Sequence, residues 1–180
     1  MRTIASVLLM LGVTMANTIV LPPAESTEGT PVAIVWIHGA KCENSAYTTV
    51  AQAYIEAGAK QGQKVWVGIP EFKGDVPEPV LMDHYVSETL RKLKRSGFKG
   101  DNIFMAAHSL GGVMTQRYAK DHPEIKGSIL MGSVLLRAHH SLNADGTTHF
   151  EYPSPVLTLG GTKDGLMRVT RVAEAYYHQI

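Results

Sequence analysis

The chain of 180 residues has a single cysteine and almost no net charge. Because Cys42 is alone, an intrachain disulfide framework and a metal site built from several thiolates are both excluded. Lys and Arg number 17 against 16 Asp and Glu, which gives no electrostatic indication of binding to nucleic acid or to an anionic membrane. What the chain has is 44% hydrophobic residues, 17 Gly and 9 Pro, and this composition indicates one globular domain with many turns.

The N-terminus is typical of a secretory signal peptide. Arg2 supplies a positive start, residues 4–13 are apolar and uncharged, and Thr14 and Ala16 place small residues at positions −3 and −1 of a cleavage site before Asn17. The apolar run is too short to span a bilayer comfortably. The alternative is a buried N-terminal strand or helix. We expect the mature protein to have no membrane span and to be secreted or in the secretory pathway.

The chain therefore divides into a signal peptide at 1–16, a flexible entry segment at 17–31 and a domain at 32–180. In that domain, apolar runs alternate with helical patterns. The predicted strands are 32–37, 65–69, 102–107, 129–131 and 156–159, and the predicted helices are 45–61, 79–95, 110–120 and 168–180. Such an order predicts an α/β fold, a mostly parallel sheet with helices on both faces. Residues 134–153 have no clear period and are interpreted as a cap loop over the site.

The sequence AAHSLGG at 106–112 carries the most specific chemical pattern in the chain. Ser109 follows an apolar strand and precedes a helix, and a tight strand-to-helix turn exposes the hydroxyl of such a serine. The turn needs small residues on either side, which Ala107 and Gly111 provide. The N–H group of Leu110 then stabilises a developing oxyanion. The alternative is that Ser109 is only the N-cap of the helix.

A second pattern, His38-Gly39-Ala40, ends the first predicted strand. Gly39 allows a sharp turn that presents the N–H of Ala40 at the same strand-end crevice, as a second oxyanion donor. The alternative is that Gly39 only permits the turn. We expect His38 to shape the loop through a hydrogen bond rather than to act as a base.

A third pattern, GGTKDG at 160–165, follows the fifth predicted strand. Asp164 leaves the end of that strand two β–α units after the serine, where a carboxylate orients a catalytic imidazole. The alternative is an ordinary turn, since Asp and Gly favour turns whatever the function.

These patterns, as WIHGA at 36–40, AAHSLGG at 106–112 and TLGGTKDG at 158–165, resemble the α/β-hydrolase fold superfamily. The resemblance extends from Val32 to the C-terminus, and the patterns occur in the family's order and at its spacing. Within the superfamily the short chain and the HSxGG turn are most similar to small esterase, lipase or chlorophyllase-type members.

The resemblance implies a role for each matching residue. Ser109 corresponds to the nucleophile and Asp164 to the acid of the triad, while Ala40 and Leu110 correspond to the oxyanion-hole residues. It implies a serine hydrolase that cleaves a small-molecule carboxylic ester through an acyl-enzyme, with no cofactor and no metal. Opening of an amide or a lactone by the same triad is a further interpretation.

One part of the family pattern is not found. The catalytic histidine should follow the acid, in a loop after one more strand, and only His178 follows Asp164. His178 falls on the polar face of the predicted helix at 168–180, so it is a poor candidate for the base and the catalytic histidine stays unassigned.

The last strand and its histidine loop are not found, and we interpret the chain as C-terminally truncated. The alternative function is accordingly a non-catalytic binding protein of this fold, or an inactive fragment that lacks the triad histidine.

The other histidines are given no catalytic role. We expect His108, beside the nucleophile, to pack or to form a hydrogen bond. His139, His140 and His149 lie in the segment 134–153 and are candidates for lining the acyl or alcohol pocket. We predict no metal site there, because no carboxylate or thiol has the spacing of a partner ligand.

Overall fold

A computed structural model of the chain describes residues 17–142, 144–145, 148–150 and 152–177. The strands, numbered in chain order, are β1 Ile19–Leu21, β2 Thr30–Ile37, β3 Gln63–Ile69, β4 Ile103–His108, β5 Ile125–Met131, β6 His140–Leu142, β7 Thr148–Phe150 and β8 Val156–Leu159. The helices are α1 Thr48–Lys60, α2 Met82–Arg95, α3 Leu110–Asp121 and α4 Val169–Tyr177. Short 3-10 turns at Asn44–Tyr47 and Pro79–Leu81 lead into α1 and α2.

Six strands form the main sheet in the order β1-β3-β2-β4-β5-β8. All neighbours in this sheet are parallel except β1, which pairs antiparallel with β3. The α/β fold with a mostly parallel sheet, predicted from the alternation of apolar runs and helical patterns, is confirmed.

The continuous apolar run of β2 is explained by burial of both of its faces. Val35 and Ile37 belong to one core cluster together with Val86 of α2, and Trp36 belongs to the other together with Ala51 of α1. A strand buried on both sides cannot alternate apolar and polar residues, so its sequence is apolar throughout. Helices therefore cover both faces of the sheet, as predicted.

Two segments differ from the sequence-based expectation. In the segment 17–31, expected to be flexible, Ile19–Leu21 form the edge strand β1, whose side chains pack partly against both core clusters. The segment 134–153, interpreted as a loop, contains a 3-10 turn at Arg137–His139 and the antiparallel hairpin of β6 with β7. All three of these strands have only three residues, which is too short for a period to be read.

The register of the sheet brings the chemically interesting loops to one edge. Ile37 is paired with Ala107, His108 with Met131, and Met131 in turn with Leu159. Since these strands are parallel, the residues that follow β2, β4, β5 and β8 lie side by side at their carboxyl ends. None of the helices in the described ranges is long and apolar enough to cross a membrane.

Candidate active site

Ser109 occupies a strained turn between β4 and α3. Its backbone angles are φ 49° and ψ −122°, in the left-handed region that non-glycine residues rarely adopt. Its N–H donates to the carbonyl oxygen of Met131 at 2.9 Å, which holds the turn against the end of β5. The Ser109 side chain forms no capping hydrogen bond with α3, although it stands at the N-cap position. The geometry therefore does not match an N-cap serine and leaves the hydroxyl available for other contacts.

The small residues beside Ser109 allow α3 to approach β2 closely. Ala107 is almost fully buried in the core. A Cβ on Gly111 would stand 2.7 Å from the carbonyl oxygen of Ile37, and closer still to that of His38. The first turn of α3 is therefore in direct contact with the start of the loop that carries Ala40.

The loop after β2 is fixed by hydrogen bonds at both ends of Gly39. The Gly39 N–H donates to the hydroxyl oxygen of Tyr47 at 2.9 Å, and the Gly39 carbonyl accepts from Nδ1 of His38 at 2.8 Å. The Nε2 atom of the fully buried His38 accepts from the N–H of Phe72 at 3.4 Å. Because a carbonyl only accepts and an amide N–H only donates, this imidazole carries its proton on Nδ1. The expectation that His38 shapes the loop is confirmed.

Two backbone donors at this edge have no partner within the part of the chain that the structure describes. They are the N–H groups of Ala40, which is exposed, and of Leu110, which is half-buried. Unpaired amide groups at a helix start and a neighbouring loop are suited to binding an anion or a developing negative charge.

Asp164 lies in the loop after β8 and is held as an anion. Its Oδ1 accepts hydrogen bonds from the N–H groups of Met167 at 2.8 Å and Leu166 at 2.9 Å. The pKa of the carboxyl group is held below its usual value of 3.8. The largest cause is the bond from Met167, followed by the bond from Leu166 and the charge of His108. Oδ1 of Asp164 therefore takes part in an ordinary turn, as the alternative interpretation expects. Oδ2 instead faces Gly132, which follows β5.

His108 stands between the Asp164 loop and Tyr47. Its Nδ1 lies 2.7 Å from the Tyr47 hydroxyl oxygen. A Cβ on Gly132 would be 3.2 Å from Oδ2 of Asp164 and 3.5 Å from Nε2 of His108. The two side chains therefore both lie next to Gly132. Burial lowers the pKa of His108 from its usual 6.5, and the charge of Asp164 partly offsets that effect. His108 therefore forms a hydrogen bond, in agreement with the sequence-based expectation.

Sequence reasoning missed Tyr47 and Gly132. Tyr47 was placed in the helix predicted at 45–61, and no periodicity distinguishes a tyrosine in the 3-10 turn that precedes α1. The sequence gives a weak indication of the role of Gly132, because a glycine directly after a strand is typical of a positive φ or of another group that lies close to the backbone. Its φ is +55°, and it meets both conditions.

The remaining sequence-based candidates are only partly described. His178 lies outside the described residues, and so do the side chains of His140 and His149. His139 is buried, with its ring edge-on to Tyr152 at 5.0 Å between centroids. Across the described ranges, no group of three His, Cys, Asp or Glu residues is placed to hold a metal ion.

A cavity of about 330 Å³ lies between the segment after β5 and helix α4. It is lined by Val134, Leu135, Leu136, Arg137, Arg171, Glu174 and Ala175. Gln116 of α3 donates to the carbonyl oxygen of Val134 at 2.9 Å and accepts from the N–H of Leu136 at 2.8 Å. These bonds anchor one wall of the cavity to the helix that begins beside Ser109.

Comparison with known proteins gives a family and a fold. The model of the alpha/beta hydrolase family matches residues 33–178. The crystal structure of esterase PE8 superposes with a TM-score of 0.61 at 12% identity, over 89% of this chain and 81% of that chain. Est1E from Butyrivibrio proteoclasticus superposes with a TM-score of 0.60 at 17% identity, over 91% and 80% respectively. No curated protein sequence matches significantly. At these identities the two structures show a shared fold and nothing finer.

Proposed function

Because the chain belongs to the alpha/beta hydrolase family, we propose that it is a serine hydrolase that cleaves a carboxylic ester through an acyl-enzyme. The observation that carries the proposal is the strained backbone of Ser109, whose side chain caps no helix. At the same sheet edge lie the amide donors of Ala40 and Leu110, which have no partner among the described residues. Strain at a reactive side chain is typical of functional sites, where the surrounding structure compensates for its cost. Membership in the family alone would not fix the chemistry, since one fold supports many functions.

Each assigned residue has a definite part in the proposed reaction. Ser109 Oγ attacks the ester carbonyl carbon while its proton passes to a base, and the carbonyl oxygen becomes an oxyanion that accepts hydrogen bonds from Ala40 and Leu110. Collapse of this intermediate breaks the bond to the alcohol, which leaves with the proton from the base. Water then releases the acid from Ser109 by the same steps. Asp164, ionised at neutral pH, orients the base and stabilises its cationic form.

The base is proposed to be a histidine and is left unassigned. His178, the one histidine that follows Asp164 in the sequence, lies outside the described residues. His108 is within the field of Asp164, but its Nδ1 is bound to Tyr47.

The cavity beside α4 is lined by none of the assigned catalytic residues, and we propose it as the place for the non-reacting part of a small ester. Its leucine, valine and alanine side chains suit an acyl or alcohol group with an apolar portion, and its volume of about 330 Å³ is at the lower end of ligand pockets. We therefore expect short esters to be turned over faster than long ones.

Hydrolysis of p-nitrophenyl acetate and butyrate tests the proposal. Ser109→Ala should lower turnover by a factor of about 10⁴ to 10⁶, because no acyl-enzyme can form. The matched control is Ser87→Ala, on the exposed face of α2, which should retain the wild-type rate. Undiminished turnover in Ser109→Ala overturns the proposal. Absence of both turnover and serine labelling in the wild-type chain favours the non-catalytic alternative.

A further inference from the structure

The hydroxyl group of Tyr47 joins three separate parts of the site at one oxygen atom. Tyr47 stands on the 3-10 turn before α1, Gly39 follows β2, and His108 ends β4. The hydroxyl accepts the Gly39 N–H at 2.9 Å and lies 2.7 Å from Nδ1 of His108. We propose that Tyr47 is a positioning residue that holds the oxyanion loop against the turn that carries Ser109. This inference rests on the proposed function and goes beyond it.

The protonation of the two partners permits a hydrogen bond from the phenol to the imidazole. Burial, as the largest cause, raises the pKa of Tyr47 to about 12, so the phenol keeps its single proton at any ordinary pH. Burial lowers the pKa of His108, so this imidazole is neutral above its usual titration range. With the Gly39 N–H on the phenol oxygen, the phenol hydrogen is free to go to Nδ1 of His108. The thiol of Cys42 also reaches the hydroxyl, but a thiol is a weak partner.

The bond from Gly39 to Tyr47 matters because it restrains the peptide group before Gly39, while the bond to His38 restrains the peptide group after it. The Gly39 carbonyl points at the buried His38 ring. In a planar trans peptide the N–H of Ala40 points to the opposite side from that carbonyl. With Gly39 held at its nitrogen by Tyr47 and at its oxygen by His38, the Ala40 donor is fixed before any substrate arrives. Pre-arranged donors stabilise an oxyanion without paying for reorganisation during the reaction.

A pair of tyrosine variants separates this role from simple packing. Tyr47 and Tyr54 both pack on the Trp36 ring, with centroids at 5.8 Å and 5.6 Å, but the Tyr54 hydroxyl has no hydrogen bond to the described residues. Tyr47→Phe should lower kcat for p-nitrophenyl butyrate by about 10- to 100-fold with KM within about twofold, because a displaced donor weakens binding of the transition state. Tyr54→Phe should change neither by more than about twofold.

A measurement that does not depend on turnover is hydrogen exchange of the peptide spanning residues 38–42. Tyr47→Phe should raise its exchange rate about tenfold or more over Tyr54→Phe, because the Gly39 N–H loses its acceptor. If the thermal midpoint of Tyr47→Phe falls too far for assay, His108→Asn and His108→Leu replace it. Asn keeps a polar atom near Nδ1 and should lose less activity than Leu.

The results distinguish the two proposals. Equal exchange at 38–42 and equal kcat in Tyr47→Phe and Tyr54→Phe overturn the positioning role, even if Ser109→Ala is inactive. Wild-type turnover in Ser109→Ala overturns the proposed function instead. Faster exchange in Tyr47→Phe together with a kcat loss at constant KM establishes the role of Tyr47.

Discussion

Gly111 of α3 lies against the main chain of His38, so that a Cβ placed on Gly111 would overlap the His38 carbonyl oxygen. This contact joins the helix that follows Ser109 to the loop that carries Ala40. It explains why a glycine stands at that position.

Substitution of Gly111 by alanine should destabilise the protein and move α3 away from β2. The obstructing atoms are backbone oxygens, which cannot rotate aside, so we expect a loss of about 2–3 kcal/mol in the free energy of unfolding. Urea denaturation measures this loss. The matched control is Gly165→Ala, where an added Cβ meets nothing within 4 Å. Equal free energies of unfolding for the two variants would contradict the close contact between Gly111 and the backbone of β2 and His38.

The strained backbone of Ser109 leads to a prediction about stability rather than activity. Ser109→Gly should be about 1 kcal/mol more stable than Ser109→Ala, because glycine adopts φ 49° without the steric cost. The greater entropy of glycine in the unfolded chain offsets part of this gain. Both variants lack the hydroxyl, so the comparison isolates the backbone. Thermal or chemical unfolding of the pair is the measurement, and a less stable glycine variant would argue against strain.

The pKa of His108 gives a prediction about pH. Its folded-state pKa lies below the usual 6.5, so the unfolded chain takes up a proton first as the pH falls. The contribution of His108 to the free energy of unfolding is therefore complete above about pH 6.5 and is lost as the pH drops from there toward the folded pKa. His108→Gln should flatten this part of the stability curve.

Removal of the Asp164 charge should lower the pKa of His108 further, because that charge favours the imidazolium. An NMR titration of the His108 ring in wild type and Asp164→Asn measures the change. Asp121→Asn, which removes an exposed carboxylate that pairs with Arg117, should leave the titration unchanged. An upward shift in Asp164→Asn would contradict the arrangement.

We propose that residues 1–16 are removed as a signal peptide and that the mature protein is secreted. The N atom of Asn17 lies 2.9 Å from a carboxylate oxygen of Glu71, so cleavage there would place the new α-ammonium group beside that carboxylate. Intact-mass measurement of protein from its native source should give a chain that begins at Asn17. A retained Met1 on cytosolic material would refute the proposal.

The main features of the fold could be predicted because the physical requirements of a buried parallel sheet are local in the sequence. Residues 32–37 and 103–107 are apolar throughout, and a histidine followed by Gly39 or Ser109 comes directly after each of them. A tight turn after each strand follows from those residues, and parallel pairing brings the turns together. Ser109, Ala40 and Asp164 were located at the same sheet edge by this reasoning.

Contacts between distant residues could not be predicted in the same way. Tyr47 and His108 are 61 positions apart, and no pattern in either segment indicates the other. The edge strand Ile19–Leu21 depends on its pairing with β3, since three residues are too few to specify a strand alone. In both cases the information lies in the packing of the folded chain rather than in a local sequence pattern.

Labelling with a fluorophosphonate probe, followed by peptide mapping, tests the central claim most directly. The account predicts one mole of probe per mole of native protein, attached to Ser109, with none on heat-denatured protein or on Ser109→Ala. Labelling of the native protein at a different residue, or equal labelling of native and denatured chains, would contradict the assignment of Ser109 as an activated nucleophile.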